Sequence, residues 1–268
     1  MSKVLHLKTP EEIELLRISA LLVGDTHAEV ARHIRPGVTT AELDKIAEAF
    51  IRDHGATPSF KGYGGFPASL CISVNEAVVH GIPGKYEIKP GDVVSVDCGV
   101  YKNGFHGDSA YTYLIQDQNI GDKVKLLKIT LESLQIGCNF AAPGKRVGDI
   151  GYGVQNHAEK HGYGVVRELV GHGVGRQLHE KPDVPNYGKA GNGPTLKPGM
   201  TICIEPMINM GTKDVRTLAD GWTIVTKDGK PAAHFEHVVA ITENGGEILS
   251  SFSKIEKEIE RNEYLVSI

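Results

Sequence analysis

Four acidic residues stand in, or at the start of, apolar stretches that read as β-strands. The stretches are VVSVDCGV (93–100), DSAYTYLI (108–115), TICIEPMI (201–208) and HFEHVVAIT (234–242), and the acids are Asp97, Asp108, Glu205 and Glu236. A carboxylate in a buried strand is costly unless it is paired or bound to a metal. Four converging carboxylates repel one another unless cations lie between them. The set therefore predicts a site for divalent ions, and two ions that share carboxylates are typical of hydrolytic enzymes.

Three histidines could add to this chemistry. His172 lies in the GHGVG stretch of residues 171–175, where glycines on both sides allow close backbone approach and a fixed ring, so it is the candidate fifth ligand. The stretch lacks the spacing and the strand-turn-helix context of a dinucleotide-binding loop. His80 and His179 begin the motifs HGIP and HEKP and are candidate catalytic groups. Taken singly, each acid could be a salt-bridged strand residue and each histidine a structural one; their ordered set favours an active site.

The motifs occur twice along the chain in the same order. A Pro-Gly pair precedes a helical stretch ending in His-Gly, an HxxP motif follows, and Lys-Pro-Gly leads into the strand that carries Asp97 or Glu205. The matched positions are 36–37 with 143–144, 54–55 with 161–162, 80–83 with 179–182, and 89–91 with 197–199. The repetition predicts one domain over residues 1–268, with related halves at 36–115 and 143–242 around an approximate two-fold axis. Coincidental turns are the alternative.

Helices and hairpins must position these residues. Thr9 with Glu12 and Thr39 with Glu42 are typical of helix N-termini with reciprocal caps, and further helices are expected at 121–136 and 146–161. The stretches at 93–100 and 108–115 predict an antiparallel hairpin, and those at 201–208 and 234–242 predict a second. The expected fold class is α+β, with an antiparallel sheet core and helices outside. The charged end of the chain, 254–268, is expected to be peripheral.

Composition narrows the function classes. The chain has 268 residues and a net charge of −4, which argues against a dedicated nucleic-acid binder such as a specific DNA-binding protein. No apolar run is long enough to predict a membrane span, and the early charges do not fit a signal peptide. The four cysteines form no CxxC pair, so a structural zinc site is not expected. We expect a cytoplasmic protein with reduced thiols. The cysteines are Cys71, Cys98, Cys138 and Cys203.

The ordered set of five candidate ligands resembles the methionine aminopeptidase family of pita-bread metallopeptidases. SVNE at 73–76, HGIP at 80–83, GHGVG, CIEPM and FEH all match that family, and the likeness runs from about residue 4 to residue 250. The bacterial type I branch fits best, because only 32 residues lie between His172 and Glu205, where type II relatives carry a long insertion. The zinc-binding extension of eukaryotic type I enzymes is not seen, and only about 70 residues precede SVNE, too few for the extra domain of Xaa-Pro peptidases.

The resemblance implies a function and roles. The activity is removal of the N-terminal methionine of new proteins when the second residue is small. Asp97 binds one metal ion, Asp108 and Glu236 bridge two, and His172 and Glu205 complete the second site. A water molecule between the ions attacks the scissile carbonyl, and Glu205 transfers its proton. His179 bonds to the substrate carbonyl or oxyanion, and His80 contacts the scissile amide.

The resemblance also implies a methionine side-chain pocket and a metal preference. Four carboxylates and one imidazole suit Mn²⁺, Fe²⁺ or Co²⁺, and Zn²⁺ is a further possibility. At position 178 this chain has leucine where some family members carry an aromatic residue. Ordinary core packing is the alternative for the aromatic members of the pocket. The pocket residues are Tyr63, Phe66, Cys71, Leu178 and Trp222.

Other readings and partners stay open from the sequence. A peptidase of the same fold that cleaves before proline is one alternative, and a metal-free binding protein of this fold is another. The family usually acts as a monomer near the ribosomal exit, so four basic residues of the second half are candidates for a ribosome contact, with a solvated hairpin as the alternative. They are Lys213, Arg216, Lys227 and Lys230.

Overall fold

The computed structural model describes residues 5–268, which form five α-helices, one short 3₁₀ turn at Tyr63–Gly65 and fifteen strands. The helices are α1 Pro10–His33, α2 Thr40–Asp53, α3 Gly121–Phe140, α4 Val147–Lys160 and α5 Ser253–Arg261. The strands of the first part are β1 Thr57–Pro58, β2 Leu70–Val74, β3 Ala77–Val79, β4 Val93–Lys102 and β5 Phe105–Leu114. Those that follow α4 are β6 Gly164–Val165, β7 Gly171–Gly173, β8 Glu180–Val184, β9 Thr201–Ile204, β10 Met207–Asn209, β11 Val215–Thr217, β12 Ile224–Thr226, β13 Ala232–His234, β14 His237–Thr242 and β15 Gly245–Ile248.

The predicted helices form where their caps indicate. The side chains of Thr9 and Thr39 accept bonds from the backbone N–H of Glu12 and Glu42, and each glutamate bonds back to the backbone N–H of its cap residue. This reciprocal bonding satisfies donors that a helix start leaves free. α3 runs four residues beyond its predicted end at residue 136, and α4 matches its predicted span within one residue at each end.

All strand pairings are antiparallel, as expected for an α+β fold, and they form four small sheets. The strand orders are β1-β4-β2 with β5 on β4, then β13-β10-β6, β11-β12-β3 and β15-β14-β9-β7-β8. The large apolar core contains buried residues from the helices and from the central strands, such as Ile202 of β9. A smaller apolar cluster contains Leu16 of α1.

The first predicted hairpin is continuous. β4 and β5 pair over their full length, from Val93 opposite Leu114 to Lys102 opposite Phe105. The turn at Asn103-Gly104 has positive φ at both residues, as a tight hairpin turn requires. α1 packs closely on β5, because a Cβ at Gly107 would lie 2.3 Å from the backbone N of Ala20. The strands that carry Asp97 and Asp108 therefore form as predicted.

The second predicted hairpin exists but is split. β9 pairs with β14 and β10 with β13, so the ladder stops at Glu205-Pro206 on one side and at 235–236 on the other. Proline has no N–H to give to a ladder, which accounts for one side of the break. The pairs Ile204 with His237 and Met207 with His234 keep one register across the gap, so Glu205 lies opposite Glu236.

The end of the chain is less peripheral than expected. Ile255 and Ile259 of α5 are buried in the main core, and the side-chain amide of Asn262 donates to the carbonyls of Ala31 and Ile34 at the end of α1. The expectation from charge alone was wrong because α5 is amphipathic: most of its charged residues face outward, whereas two isoleucines, four positions apart, share the inner face with Glu258.

Candidate metal centre

The first hairpin presents its two acids on one face. Asp97 lies opposite Ala110 in the ladder, and Asp108 lies two residues before Ala110 on the same strand. Because side chains alternate along a strand, Asp97 and Asp108 project from the same side as diagonal neighbours. Asp108 is 3% exposed, and Oδ1 of each acid is buried without a hydrogen-bond partner.

The second pair of acids is brought to the same place by bonds between the halves. The backbone N–H of Glu236 donates to the carbonyl of Ala110 at 3.0 Å, and the Ser109 hydroxyl donates to the carbonyl of Glu236 at 2.7 Å. These bonds hold the gap in the second hairpin against β5 of the first. Glu236 is 2% exposed, and its Oε1 is also buried and unpartnered.

His172 reaches this group from β7. Its Nε2 lies 3.9 Å from Oδ2 of Asp108 and 3.6 Å from Oε1 of Glu205. Its Nδ1 donates to the carbonyl of Gly173 at 2.9 Å, so Nε2 carries the lone pair that a metal ion needs. The flanking glycines are required by close approach, because a Cβ at Gly171 would lie 2.3 Å from the carbonyl of Cys203.

The ligand geometry suits cations. Donor atoms of Asp108, His172, Cys203 and Glu236 all lie within 4.8 Å of one another. The buried Cys203 thiol has a raised pKa, because it is desolvated and faces Glu236 and Asp108, so it stays neutral. The sequence analysis predicted that Cys203 is a small buried residue, but it did not predict that the thiol lies beside the candidate metal ligands.

The pKa values of the four carboxyl groups are raised, because these groups are buried close to one another. Desolvation, with a contribution from Glu205, raises the pKa of Asp97 to about 7, and desolvation raises that of Glu205 to about 8. Desolvation and the neighbouring carboxylates raise the pKa values of Asp108 and Glu236. Desolvation lowers the pKa of His172 to about 3, which keeps it neutral and ready to bind a metal. Unpartnered carboxylate oxygens beside a neutral imidazole fit divalent ions.

The two further histidines face the same cavity, of about 330 Å³. Tyr63 Oη lies 2.7 Å from Nδ1 of His179 and can donate to it, and the rings of His179 and His172 meet edge to face. His80 has φ +58°, a conformation that non-glycine residues adopt only under constraint. Burial lowers the pKa of His80 to about 4 and also lowers that of His179. The structure thus brings both to the candidate metal site.

All five predicted pocket residues line this cavity. Phe66, Cys71 and Leu178 are buried in one apolar cluster, and the ring of Trp222 meets that of Phe66 edge to face at 5.2 Å between centroids. Tyr63 is 45% exposed and lies at the cavity mouth. The cluster also contains Phe60, which the sequence analysis did not select.

A second residue, His234, was missed beside the candidate metal ligands. His234 is 2% exposed, lines the cavity and lies 3.5 Å from Oε2 of Glu205 through its Nε2. The alternation of HFEH holds the signal that could have found it. Residues two apart in a strand share a face, so His234 lies on the same side as Glu236.

Known proteins with similar sequences are metallopeptidases. A profile of metallopeptidase family M24 matches residues 14–243. The chain is 54% identical to methionine aminopeptidase 1 of Bacillus subtilis (strain 168) over 243 residues, which is 91% of this chain and 98% of that protein.

Solved structures give the same picture at the level of the fold. The crystal structure of methionine aminopeptidase from Thermotoga maritima superposes with a TM-score of 0.90 at 43% identity, covering 92% of this chain and all of the other. The prolidase from Pyrococcus furiosus superposes with a TM-score of 0.75 at 25% identity, covering 91% of this chain and 65% of the other. Within residues 5–268, none of the helices combines the length and apolarity needed to cross a bilayer.

Proposed function

The chain belongs to metallopeptidase family M24, and from that premise we propose that five residues hold two divalent metal ions at the site described above. The protein is a metal-dependent aminopeptidase that removes N-terminal methionine. The observation that carries this function is the convergence of four carboxylates and one neutral imidazole on one cavity in a chain so similar to methionine aminopeptidases. The proposed ligands are Asp97, Asp108, His172, Glu205 and Glu236.

The donor set supports the proposed ions. Asp108 and Glu236 come from different halves, and both have a donor atom in the group that lies within 4.8 Å, so they would be shared by two ions. Asp97 would help to hold one ion, and His172 with Glu205 would help to hold the other. A donor set of oxygens with one nitrogen favours Mn²⁺, Fe²⁺ or Co²⁺, and Zn²⁺ is a further ion that such a set can bind. When bound, such ions lower the pKa of water and polarise a carbonyl.

Residues around the ligands supply the remaining steps. The Tyr63 hydroxyl donates to Nδ1 of His179, which leaves Nε2–H of His179 free to donate to the substrate carbonyl as negative charge develops there. Glu205 faces the cavity, where its carboxylate would exchange a proton with the attacking water. His80, on the cavity wall, contacts the scissile amide and assists departure of the amine.

The apolar end of the cavity suits a methionine side chain. Phe66, Cys71, Leu178 and Trp222 form a wall that combines aromatic edges with sulfur and aliphatic groups, and a thioether makes favourable contacts with such surfaces. We assign this wall, with Tyr63 at its mouth, to the methionine side chain, and a small second residue to the space beside His80.

A paired-substrate assay tests the function. Met-Ala-Ser and Ala-Pro-Ala are incubated with metal-depleted protein to which Mn²⁺ or Co²⁺ is returned, and free amino acids are measured. We expect methionine release from the first peptide only, loss of activity with chelator and recovery on adding metal. Preference for the proline peptide would identify the alternative peptidase, and activity that survives chelation would overturn the metal mechanism.

The proposed contact with the ribosome involves four basic residues of the second half. Lys213, Arg216, Lys227 and Lys230 are exposed on and beside the β11–β12 hairpin, where they could contact ribosomal RNA near the exit of nascent chains. We propose a monomeric cytoplasmic protein, in keeping with its four free cysteines. The test is co-sedimentation with ribosomes at low and high salt. Replacing the four residues by glutamine should abolish a salt-sensitive association, and equal binding by both proteins would refute the contact.

A further inference from the structure

His234 is a buried imidazole that the proposed function does not use. Its Nε2 is buried and has no hydrogen-bond partner, and it faces the cavity that holds the candidate ligands. Buried polar groups are nearly always paired, so an unpaired ring nitrogen in an active site calls for a partner that the site itself provides.

The backbone of His234 is anchored on both sides. The Thr112 hydroxyl of β5 donates to the carbonyl of His234 at 2.7 Å and accepts from its N–H at 2.9 Å. The second lone pair of Thr112 accepts from the Ser95 hydroxyl at 2.9 Å. One donor and two acceptor positions of the Thr112 hydroxyl are thereby filled, so the backbone of residue 234 is held in place by the first hairpin.

The partner that this ring faces is Glu205. Oε1 of Glu205 lies 3.6 Å from Nε2 of His172, whereas Oε2 lies 3.5 Å from Nε2 of His234. Each carboxylate oxygen thus has its own imidazole. An ion held by the lone pair of His172 would also lie within reach of Oε1 of Glu205, which would leave Oε2 for a hydrogen-bond donor.

We propose that His234 is a positioning residue: its Nε2–H donates to Oε2 of Glu205 and thereby presents Oε1 to the ion beside His172. This inference rests on the proposed function. The arrangement is compatible with proton transfer by Glu205, because Oε2 has two lone pairs and keeps one free after accepting from His234. In this role the ring would act through Glu205 and would not itself be a metal ligand.

Four variants separate this role from simple packing. His234→Gln keeps an N–H donor of similar reach, His234→Asn keeps the amide but is too short, and His234→Leu fills the space without a donor. The control is His237→Leu, which removes a buried imidazole of the same segment whose Nδ1 pairs with Ser250 and whose ring stacks on Phe252. His234→Asn carries the test if the leucine variant does not fold.

Three measurements are made on each protein: Mn²⁺ binding to the metal-depleted form by calorimetry, kcat and KM with Met-Ala-Ser, and the visible spectrum with Co²⁺. Loss of an outer partner of a metal ligand weakens binding by about 10–100-fold, which is the drop expected in Mn²⁺ affinity and in kcat for the asparagine and leucine variants. KM should change little. The glutamine variant should recover both values, with a wild-type Co²⁺ spectrum, and the control should match wild type in Mn²⁺ affinity.

Several results would overturn the proposal. They are wild-type Mn²⁺ affinity and kcat in the asparagine and leucine variants, a glutamine variant as impaired as the leucine variant, or a changed Co²⁺ spectrum in the glutamine variant, which would make His234 a ligand. If wild-type protein neither binds Mn²⁺ nor cleaves Met-Ala-Ser, the proposed function itself fails. If wild type does both and the variants do not differ from it, only the role of His234 fails.

Discussion

The β4–β5 hairpin carries Asp97 and Asp108 inside two unbroken strands, whereas the paired stretches that carry Glu205 and Glu236 stop being strands at those residues. In the first hairpin the acids are diagonal neighbours. In the second they lie directly opposite one another in a register that continues across the gap. Like charges placed directly opposite are destabilising, so the second arrangement needs cations more than the first.

The difference shows how one half supports the other. The ladder of β4 and β5 places Asp97 and Asp108 without help from the second half. The segment 234–236 bonds instead to Ala110, Ser109 and Thr112 of β5. The backbone N–H and carbonyl of Glu236 are satisfied across the boundary between halves, which explains why this residue is missing from the β-ladder of the second hairpin. The second pair of proposed ligands therefore depends on the first hairpin for its position.

The largest effect should come from removing one ligand of each hairpin. Asp97→Ala and Glu236→Ala should each lower the rate of Met-Ala-Ser hydrolysis with Mn²⁺ by at least about a thousand-fold, because lost metal ligation removes several kcal/mol of transition-state stabilisation. Initial rates of methionine release measure the loss, with unfolding curves to show that both variants fold. Full activity in either variant would remove that hairpin from the metal site.

Loss of an ion pair that joins the start of the chain to the second half should have a smaller effect. Lys8, just before α1, forms a buried ion pair with Glu180, the residue after His179. Lys8→Met leaves a buried carboxylate unpaired and should lower the free energy of unfolding by about 3–5 kcal/mol, measured by urea denaturation. Adding Glu180→Gln should recover a large part of that loss. If Lys8→Met is as stable as wild type, the second half does not depend on this ion pair.

The two hydrogen bonds between the Thr112 hydroxyl and the backbone of His234 provide a test of how far the second hairpin depends on the first. Thr112→Val removes a hydroxyl that bonds both backbone groups of His234, so we expect a loss of about 2–3 kcal/mol in unfolding free energy. Ser95→Ala, which removes only one partner of that hydroxyl within the first hairpin, should cost about 1 kcal/mol. Thr112→Ser should stay close to wild type. Equal losses for the valine and alanine variants would contradict the asymmetry between hairpins.

The smallest effect should be a dependence of stability on pH. In metal-free protein the pKa of Asp97 is raised to about 7 and that of Glu205 to about 8. A raised carboxyl pKa means that the folded state binds extra protons, so the associated stability is present at low pH and is lost as pH rises through 7 and 8. The lowered pKa values of His80 and His172 act below pH 6.5 and add no slope above it.

Melting temperatures at pH 6.5 and 8.5, with chelator and with Mn²⁺, measure this effect. The metal-free protein should melt a few degrees lower at pH 8.5, at about 2–4 °C per kcal/mol, while the Mn²⁺ form should change less. Asp97→Asn should reduce the slope of the metal-free form. A stabilisation by Mn²⁺ that shrinks as pH rises would contradict the assigned carboxylates.

Local patterns were sufficient for much of the scaffold. The paired caps at Thr9 and Thr39 and the alternation of β4 and β5 act within a few residues, so the sequence shows them directly. The burial of α5 depended on a surface far along the chain. The split of the second hairpin was hidden because its cause lies in β5, more than a hundred residues away.

The same division applies to the site. Asp97, Asp108, His172, Glu205 and Glu236 could be chosen from the sequence because charged residues in apolar stretches, and a histidine between glycines, are costly without a purpose. His234 and Phe60 were missed because neither looks unusual beside its neighbours. The alternation of HFEH places His234 on the side of Glu236, but its distance to Glu205 and the packing of Phe60 in the apolar wall come only from the tertiary structure.

The sequence by itself determined the candidate metal ligands, the first four helices and the hairpin of β4 and β5, since these follow from residue type and short-range spacing. The tertiary structure alone decided that Glu205 lies opposite Glu236, that β5 holds the segment 234–236, and that each oxygen of Glu205 faces a different imidazole. These features arise from hydrogen bonds and packing between distant segments, which no local pattern specifies.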